Sequence, residues 1–273
     1  MLLQIITFYC VCDDFLKASG HRDPKRTQMT QAEVMTCALV AAEFFCGNLR
    51  LACRYLLETG LIPTMLLESR FNRRLHRVTS EQWQGVLTLL RDGENESTFI
   101  IDSCPVPVCH LARAGNCQLY PEVREAYFGR CAAKDERYFG LKAHVVTTSS
   151  GRPVEVLLLC GCSHDLIGLA ELRLDLPEGS ELLADKGYTS YKREDHLLEE
   201  EGIRLLALRK CNSKRKRSET EEKAVRKGRK RIETTFSQVS TRLARRIHAV
   251  TAAGLESKVM AAFVAYAITL MAS

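Results

Sequence analysis

The sequence predicts an α/β fold, a mixed sheet flanked by helices and preceded by an N-terminal helical region. Three observations carry this reading. Residues 1 to about 93 repeat apolar side chains at three- and four-residue spacing, the period of a helix. After Gly93 the pattern changes to short β-rich runs. From residue 138 onward, strands and helices alternate, which is how a mixed sheet is built.

The N-terminal elements follow from local signals. Met1 to Cys12 is apolar but lacks a basic leader and a small-residue cleavage site, and it runs into Asp13-Asp14, so it reads as a first helix. Thr30-Gln31-Ala32-Glu33 is a capping box opening a helix through Val34, Leu39, Val40 and Phe44, which Gly47-Asn48 ends. A helix from Leu49 to Glu58 stops at Gly60, with Pro63 beyond. Ser69 to Arg77 is a fourth helix with a basic face. A fifth begins at Ser80 and carries Trp83, and Asp92-Gly93 closes the region. Short helices with one basic face resemble a small DNA-binding bundle, and the pattern fits a plain helical bundle equally well.

The second region, residues 94 to 273, opens with Ser97 to Asp102, a short strand ending on a carboxylate. Residues 104 to 138 read as irregular. Tyr138 to Thr148 alternates apolar and polar, Ser149-Ser150-Gly151 is a turn, and Pro153 to Cys160 is the returning strand. A helix from Leu166 to Leu174, a strand from Glu181 to Asp185, a helix from Tyr191 to Glu201 capped by Gly202, and a strand from Arg204 to Leu208 follow. A basic insertion at 209–231 leads into a long helix from Val225 to Arg246. This element order is that of RNase H-like domains. The apolar run from Val259 to Ala272 is short for a bilayer span and reads as a buried helix, with no membrane role.

Bulk composition agrees. The chain has 273 residues, 46% of them hydrophobic and 26% charged, enough for a real core and unlike a disordered chain. The net charge is +6, from 39 basic and 33 acidic residues. Between Arg209 and Arg231 stand twelve Lys or Arg and three Glu, a local +9 that leaves the remainder at −3. Such a segment suits a polyphosphate backbone, and a solvated lysine-rich loop is the alternative. The twelve cysteines form no C-x-x-C pair of the zinc type, and with no sign of secretion they read as reduced thiols in a cytoplasmic protein. Cys104, Cys109, His110 and Cys117 could together bind zinc, but their spacing matches no standard site.

Three acids stand where metal-assisted phosphoryl transfer would need them. Asp102 and Asp185 end strands that neighbour each other in the expected topology, and Glu233 lies on the helix after the last strand. Two divalent ions about 3.5–4 Å apart activate the attacking oxygen of a phosphodiester and stabilise the leaving one, and magnesium takes hard oxygen ligands for this. Any one of these acids alone reads as a turn or cap residue.

The stretches IDSCPV around Asp102, YFGLKAHVVTTSSGRPVEV, SHD at Ser163 to Asp165, LLADKGY around Asp185 and RKRIETTFSQV around Glu233 are similar to DDE transposases of bacterial insertion sequences, most of all to the insertion-sequence 982 family. The resemblance runs through nearly the whole chain, including the opening YCVCDDFLKA. It implies a DNA transposase whose triad Asp102, Asp185 and Glu233 binds two Mg2+ or Mn2+ ions. It also implies double-stranded DNA as partner, a homodimer or higher synaptic oligomer, and a bacterial cytoplasmic location at the nucleoid. Lys186, Arg229 and Lys230 beside the acids are expected to contact phosphates, their alternative being a surface ion pair with Glu233. Lys214, Arg215, Lys216 and Arg217 are expected to track the backbone. His164 is placed to contact DNA or act on a proton, the alternative being that this turn serves only to let Asp165 cap the next helix. Tyr188 is placed to stack on a base or sugar. An RNase H-like nuclease without strand transfer, or a DNA-binding protein that has lost catalysis, fits the same residues.

Overall fold

The computed structural model describes residues 1–91, 96–131, 135–244, 247 and 249–272. The expected close of the helical region at Asp92-Gly93, and with it the division of the chain at 93/94, lies outside them. The chain forms two compact units, one of Met1–Asp92, Asn116–Pro121 and Gln238–Ser273, the other of Gly93–Gly115 and Glu122–Ser237.

The first unit is helical. Helices α1 (Leu2–Ala18), α2 (Gln31–Phe45), α3 (Leu49–Glu58), α4 (Glu68–Leu75) and α5 (Ser80–Arg91) match the five expected from periodicity. The capping box forms as expected: the Thr30 hydroxyl accepts from the Glu33 amide and the Glu33 carboxylate accepts from the Thr30 amide. The last helix of the chain, α9 (Ala252–Met271), belongs to this unit and packs on α2 and α5. It is longer than its apolar run suggested, and by length and composition it could cross a membrane. Thirteen of its residues, from Gly254 to Ile268, are buried instead.

The second unit is a mixed sheet flanked by helices, the RNase H-like α/β arrangement. Strands β1 (Thr98–Cys109), β2 (Phe128–Cys131), β3 (Glu136–Thr148), β4 (Pro153–Cys160), β5 (Glu181–Ala184) and β6 (Arg204–Ala207) form one six-stranded sheet in the order β2-β3-β1-β5-β6, with β4 also paired to β3. β1 runs antiparallel to β3 and parallel to β5, which is parallel to β6. The expected first strand stops at Asp102, but β1 continues to Cys109. The reason is its partner: β3 is long enough to pair with it through Cys109, beyond the point where β5 ends. Much of the segment read as irregular is therefore the end of β1, two short 3-10 turns and β2.

The two faces of this sheet sort by the two-residue period of a strand. Phe99, Ile101, Leu182, Ala184, Leu205 and Ala207 join a core with residues of α6 (Asp165–Glu171) and α7 (Tyr191–Glu201). Ile100, Leu183 and Leu206 face the other way and pack on Val225 and Ile232 of α8 (Glu219–Thr241). α8 is held against the β3–β4 turn as well: Arg231 donates to the Ser150 carbonyl and Thr235 to the Gly151 carbonyl.

Two buried polar arrangements fix this unit. Glu194 on α7 accepts both terminal nitrogens of Arg209, at 2.5 and 2.6 Å, and one from Arg217 at 3.2 Å. His144 on β3 is fully buried, with neither ring nitrogen hydrogen-bonded, and Gly168 of α6 packs against its ring. Burial, with the nearby Lys142 charge, pushes the imidazole down to about 4.

Two stability predictions follow. Glu194→Gln leaves two mostly buried guanidiniums without their carboxylate and is expected to lower unfolding free energy by about 3–5 kcal/mol in urea denaturation. His144 is neutral in the folded state, whereas the unfolded chain takes up a proton below about pH 6.5. Its contribution is therefore present above pH 6.5 and lost as pH falls towards 4, about 3 kcal/mol over that window. His144→Leu should flatten the pH dependence of the melting temperature there; an equally steep dependence would assign it to other groups.

Candidate active site

The strand pairing that ends at Ile101 and Ala184 leaves Asp102 and Asp185 side by side, each the next residue on a parallel neighbour. Strand alternation places both on the face of Ile100 and Leu183, the face that α8 covers. α8 approaches closely because Gly228 has no side chain. A Cβ there would lie 3.1 Å from Leu183 and 3.2 Å from Ile100. The next residue, Arg229, reaches the acids, with one terminal nitrogen 3.2 Å from Asp185 Oδ1 and the other 3.7 Å from Glu233 Oε1. Sequence reasoning placed Asp102, Asp185 and Glu233 at one edge; the structure sets the two aspartates side by side, and Glu233 reaches them only through Arg229, which stands between Asp185 and Glu233.

The electrostatics are those of a site short of positive charge. Burial pushes the Asp102 carboxyl up to about 6; the Ser103 amide and Arg229 oppose this, while Asp185 and Asp165 add to it. Asp185 Oδ1 is buried and receives no hydrogen bond, since the Arg229 contact is an ion-pair approach without hydrogen-bond alignment. A buried carboxylate oxygen that lacks a donor, beside a second carboxylate, is what a divalent cation would complete, so the chemistry of this pair fits one. Among the described residues no three Asp, Glu, His or Cys side chains stand close enough to hold a metal ion as placed. Glu233 is mostly exposed and is tied to the site through Arg229.

Asp165 differs from its expected role. α6 begins at Asp165 itself, with His164 at the cap position, and no side-chain cap bond forms there. The Asp165 carboxylate turns to the sheet instead, accepting from Ser103 Oγ at 2.8 Å and pairing with Lys142 Nζ at 2.8 Å. Burial raises this carboxyl, but the Lys142 and Ser103 bonds bring it below its usual value. The sequence signal was Lys142 itself, a charge between the inward positions Leu141 and Ala143 of a strand. Tyr188 is also corrected: it is fully buried among Leu182, Leu197 and Leu205, so its ring cannot stack on a base.

The other expected DNA contacts separate by location. Lys186, Lys214 and His164 line a cavity of about 750 Å³ together with Asp185, Tyr191 and Lys210. His164 is exposed and also borders a second cavity, of about 410 Å³, with Lys142, Arg130 and Arg137. Lys230 is exposed and has no ion pair among the described residues. Arg217 is directed inward to Glu194 and the Leu205 carbonyl. Arg215 pairs with Asp195 and lies over the Tyr191 ring, and Lys216 donates to the Cys211 carbonyl. None of the twelve cysteines is in a disulfide, and the zinc grouping around Cys104 is not assembled among the described residues.

Comparisons with known proteins bear on this geometry. Searches of curated proteins and of solved structures gave no match. A family model described as Transposase DDE domain matches residues 93–268, well over half of the chain, and spans all three acids. Members of that family act on DNA and typically use divalent metal ions. With two strand-end aspartates under a helix that carries a glutamate, the chain belongs to the Transposase DDE domain family.

Proposed function

We propose that this chain is a transposase that cleaves transposon ends and transfers the freed 3′ strand into target DNA, with Asp102, Asp185 and Glu233 as its metal-binding triad. The observation that carries the reading is the placement of Asp102 and Asp185 on one sheet face, next to each other and beneath the helix bearing Glu233. Within the family, the insertion-sequence 982 motifs quoted above are the ones this chain resembles.

Two Mg2+ or Mn2+ ions bound there would neutralise phosphodiester charge and activate the attacking oxygen. The residues of the chain do the rest. The rigid strand ends fix the two aspartates, and Glu233 joins them when it leaves Arg229. Arg229 balances the acids before DNA arrives and offers a planar two-pronged donor to a phosphate afterwards. Lys186, Lys214 and His164 flank the cavity beside Asp185 and contact the strand that enters it. Lys230, Arg215 and Lys216 present charge at the surface. Arg217, bound to Glu194, supports that surface from within. The helical unit takes part in DNA binding, and the protein works as a homodimer or larger synaptic assembly at the nucleoid of a bacterial cytoplasm.

The test is a pair of assays on DNA carrying the element's terminal repeats. Asp185→Ala is expected to abolish metal-dependent cleavage, a loss of at least about 1,000-fold, while affinity for the same DNA stays within about threefold. Parallel loss of both would remove Asp185 from the metal site. Joining of the cleaved end to a second duplex separates a transposase from a nuclease; cleavage without joining would overturn the strand-transfer reading.

A further inference from the structure

The matched domain begins at residue 93, so the helices before it receive no role from the family. One of them carries a distinct chemical feature. Arg70, Arg73, Arg74 and Arg77 stand at positions i, i+3, i+4 and i+7, which places four guanidinium-bearing side chains along one side of α4 and the turn that continues it. Phe71, Leu75 and Val78 are buried on the other side. With Leu66, the four arginines line a cup of about 260 Å³.

The charge of this cup is largely uncompensated. Arg74 donates to Asp23 at 3.1 Å, and Asp23 also accepts from the Gln31 amide. Arg70, Arg73 and Arg77 are exposed, and among the described residues none of them has a carboxylate within ion-pair distance. The Asp23–Arg74 bond ties to α4 the loop bearing Arg22, Lys25 and Arg26, all exposed. A protein keeps like charges together against their repulsion when a polyanion offsets it.

We propose that this arginine stripe is a docking site for the phosphate backbone of duplex DNA. The stripe spans eight residues, about 10 Å along the helix axis. A DNA strand carries one phosphate per roughly 3.4 Å of axis, so the stripe matches several phosphates in succession, not one. No aromatic ring lines the cup for a base to stack on, and its arginine forks are set to grip phosphate oxygens. Arginine forks suit phosphate oxygens, and the bond to Asp23 holds the central one in place. The choice of DNA as the polyanion rests on the transposase reading, and the site adds to it a sequence-independent grip outside the catalytic unit.

The experiment uses the full chain. Arg70, Arg73 and Arg77 are changed together to Ala, and separately to Lys, and binding to a terminal-repeat duplex and to an unrelated duplex is followed across a salt series. The alanine variant is expected to lose about 10- to 100-fold in affinity at low salt for both duplexes, with the log–log salt slope shallower by about 2–3. The lysine variant should recover most of that slope. An alanine variant with the parent's slope and affinity overturns the proposal. Cleavage at saturating DNA is read in parallel and should persist in the alanine variant. A chain whose stripe is silent can thus be told from a chain that is no transposase: only the latter leaves the parent without cleavage.

Discussion

Two like charges held next to each other in a half-dry place set the terms for the catalytic unit. Asp102 and Asp185 are adjacent because β1 and β5 pair in parallel up to Ile101 and Ala184 and no further. Burial disfavours the ionised form of Asp102, and the neighbouring Asp185 charge adds to that effect. Such a pair is stable only with a cation close by. Arg229 supplies it, and to do so α8 has to lie almost against the sheet. A glycine inside a helix costs about 1 kcal/mol relative to alanine. Here Gly228 permits the contact between α8 and Ile100 and Leu183 that brings the guanidinium within reach.

Much of this was legible in the sequence, and the reasons differ by element. The neighbouring strand ends at Asp102 and Asp185 could be read because they depend on short β-rich runs, which are local, and on a topology with few alternatives. The helices of the N-terminal region were legible because capping and periodicity are local too, down to the Thr30–Glu33 box. The length of β1 was not, because what extends it past Asp102 is the partner β3, a non-local fact. The placement of α9 was missed for the same reason: its apolar residues announce burial but do not name the helices that cover them. Asp165 and Tyr188 show a further limit. A short polar residue before a helix fits a cap, and a tyrosine near a catalytic strand fits a stacking surface, until tertiary neighbours claim them. Lys142 and Ser103 take the first, and an apolar core takes the second.

The basic insertion illustrates how little a charge count says about where charge goes. The run from Arg209 to Arg217 reads as uniformly cationic, yet Arg209 and Arg217 face inward on Glu194 and Arg215 is paired with Asp195. Tyr191 organises the turn, its hydroxyl accepting from the Lys214 and Arg215 amides while Arg209 and Arg215 lie over its ring. Three of the arginines therefore shape the loop. The lysines, which bond less selectively, remain for a partner, with Lys210 and Lys214 beside the cavity that contains Asp185. In α4 the balance is reversed. One arginine of four is tied down and three face solvent, which is why the shorter cationic stretch is the stronger candidate for a phosphate surface.

Arg229 joins these threads. Its guanidinium stands between Asp185 and Glu233 and favours the ionised form of Asp102. Under the proposed metal-dependent reading, Arg229 and a divalent cation would compete for Asp185 Oδ1, which is buried and receives no hydrogen bond. A guanidinium of one charge, approaching without hydrogen-bond alignment, is the weaker of the two occupants for a pair of carboxylates. Glu233, exposed and held only at 3.7 Å, is correspondingly free to turn. The arrangement is thus two adjacent aspartates linked to an exposed glutamate by one arginine, which under the proposed reading would give way to stronger positive charge. The displaced group then has a ready partner in any phosphate brought to the same edge.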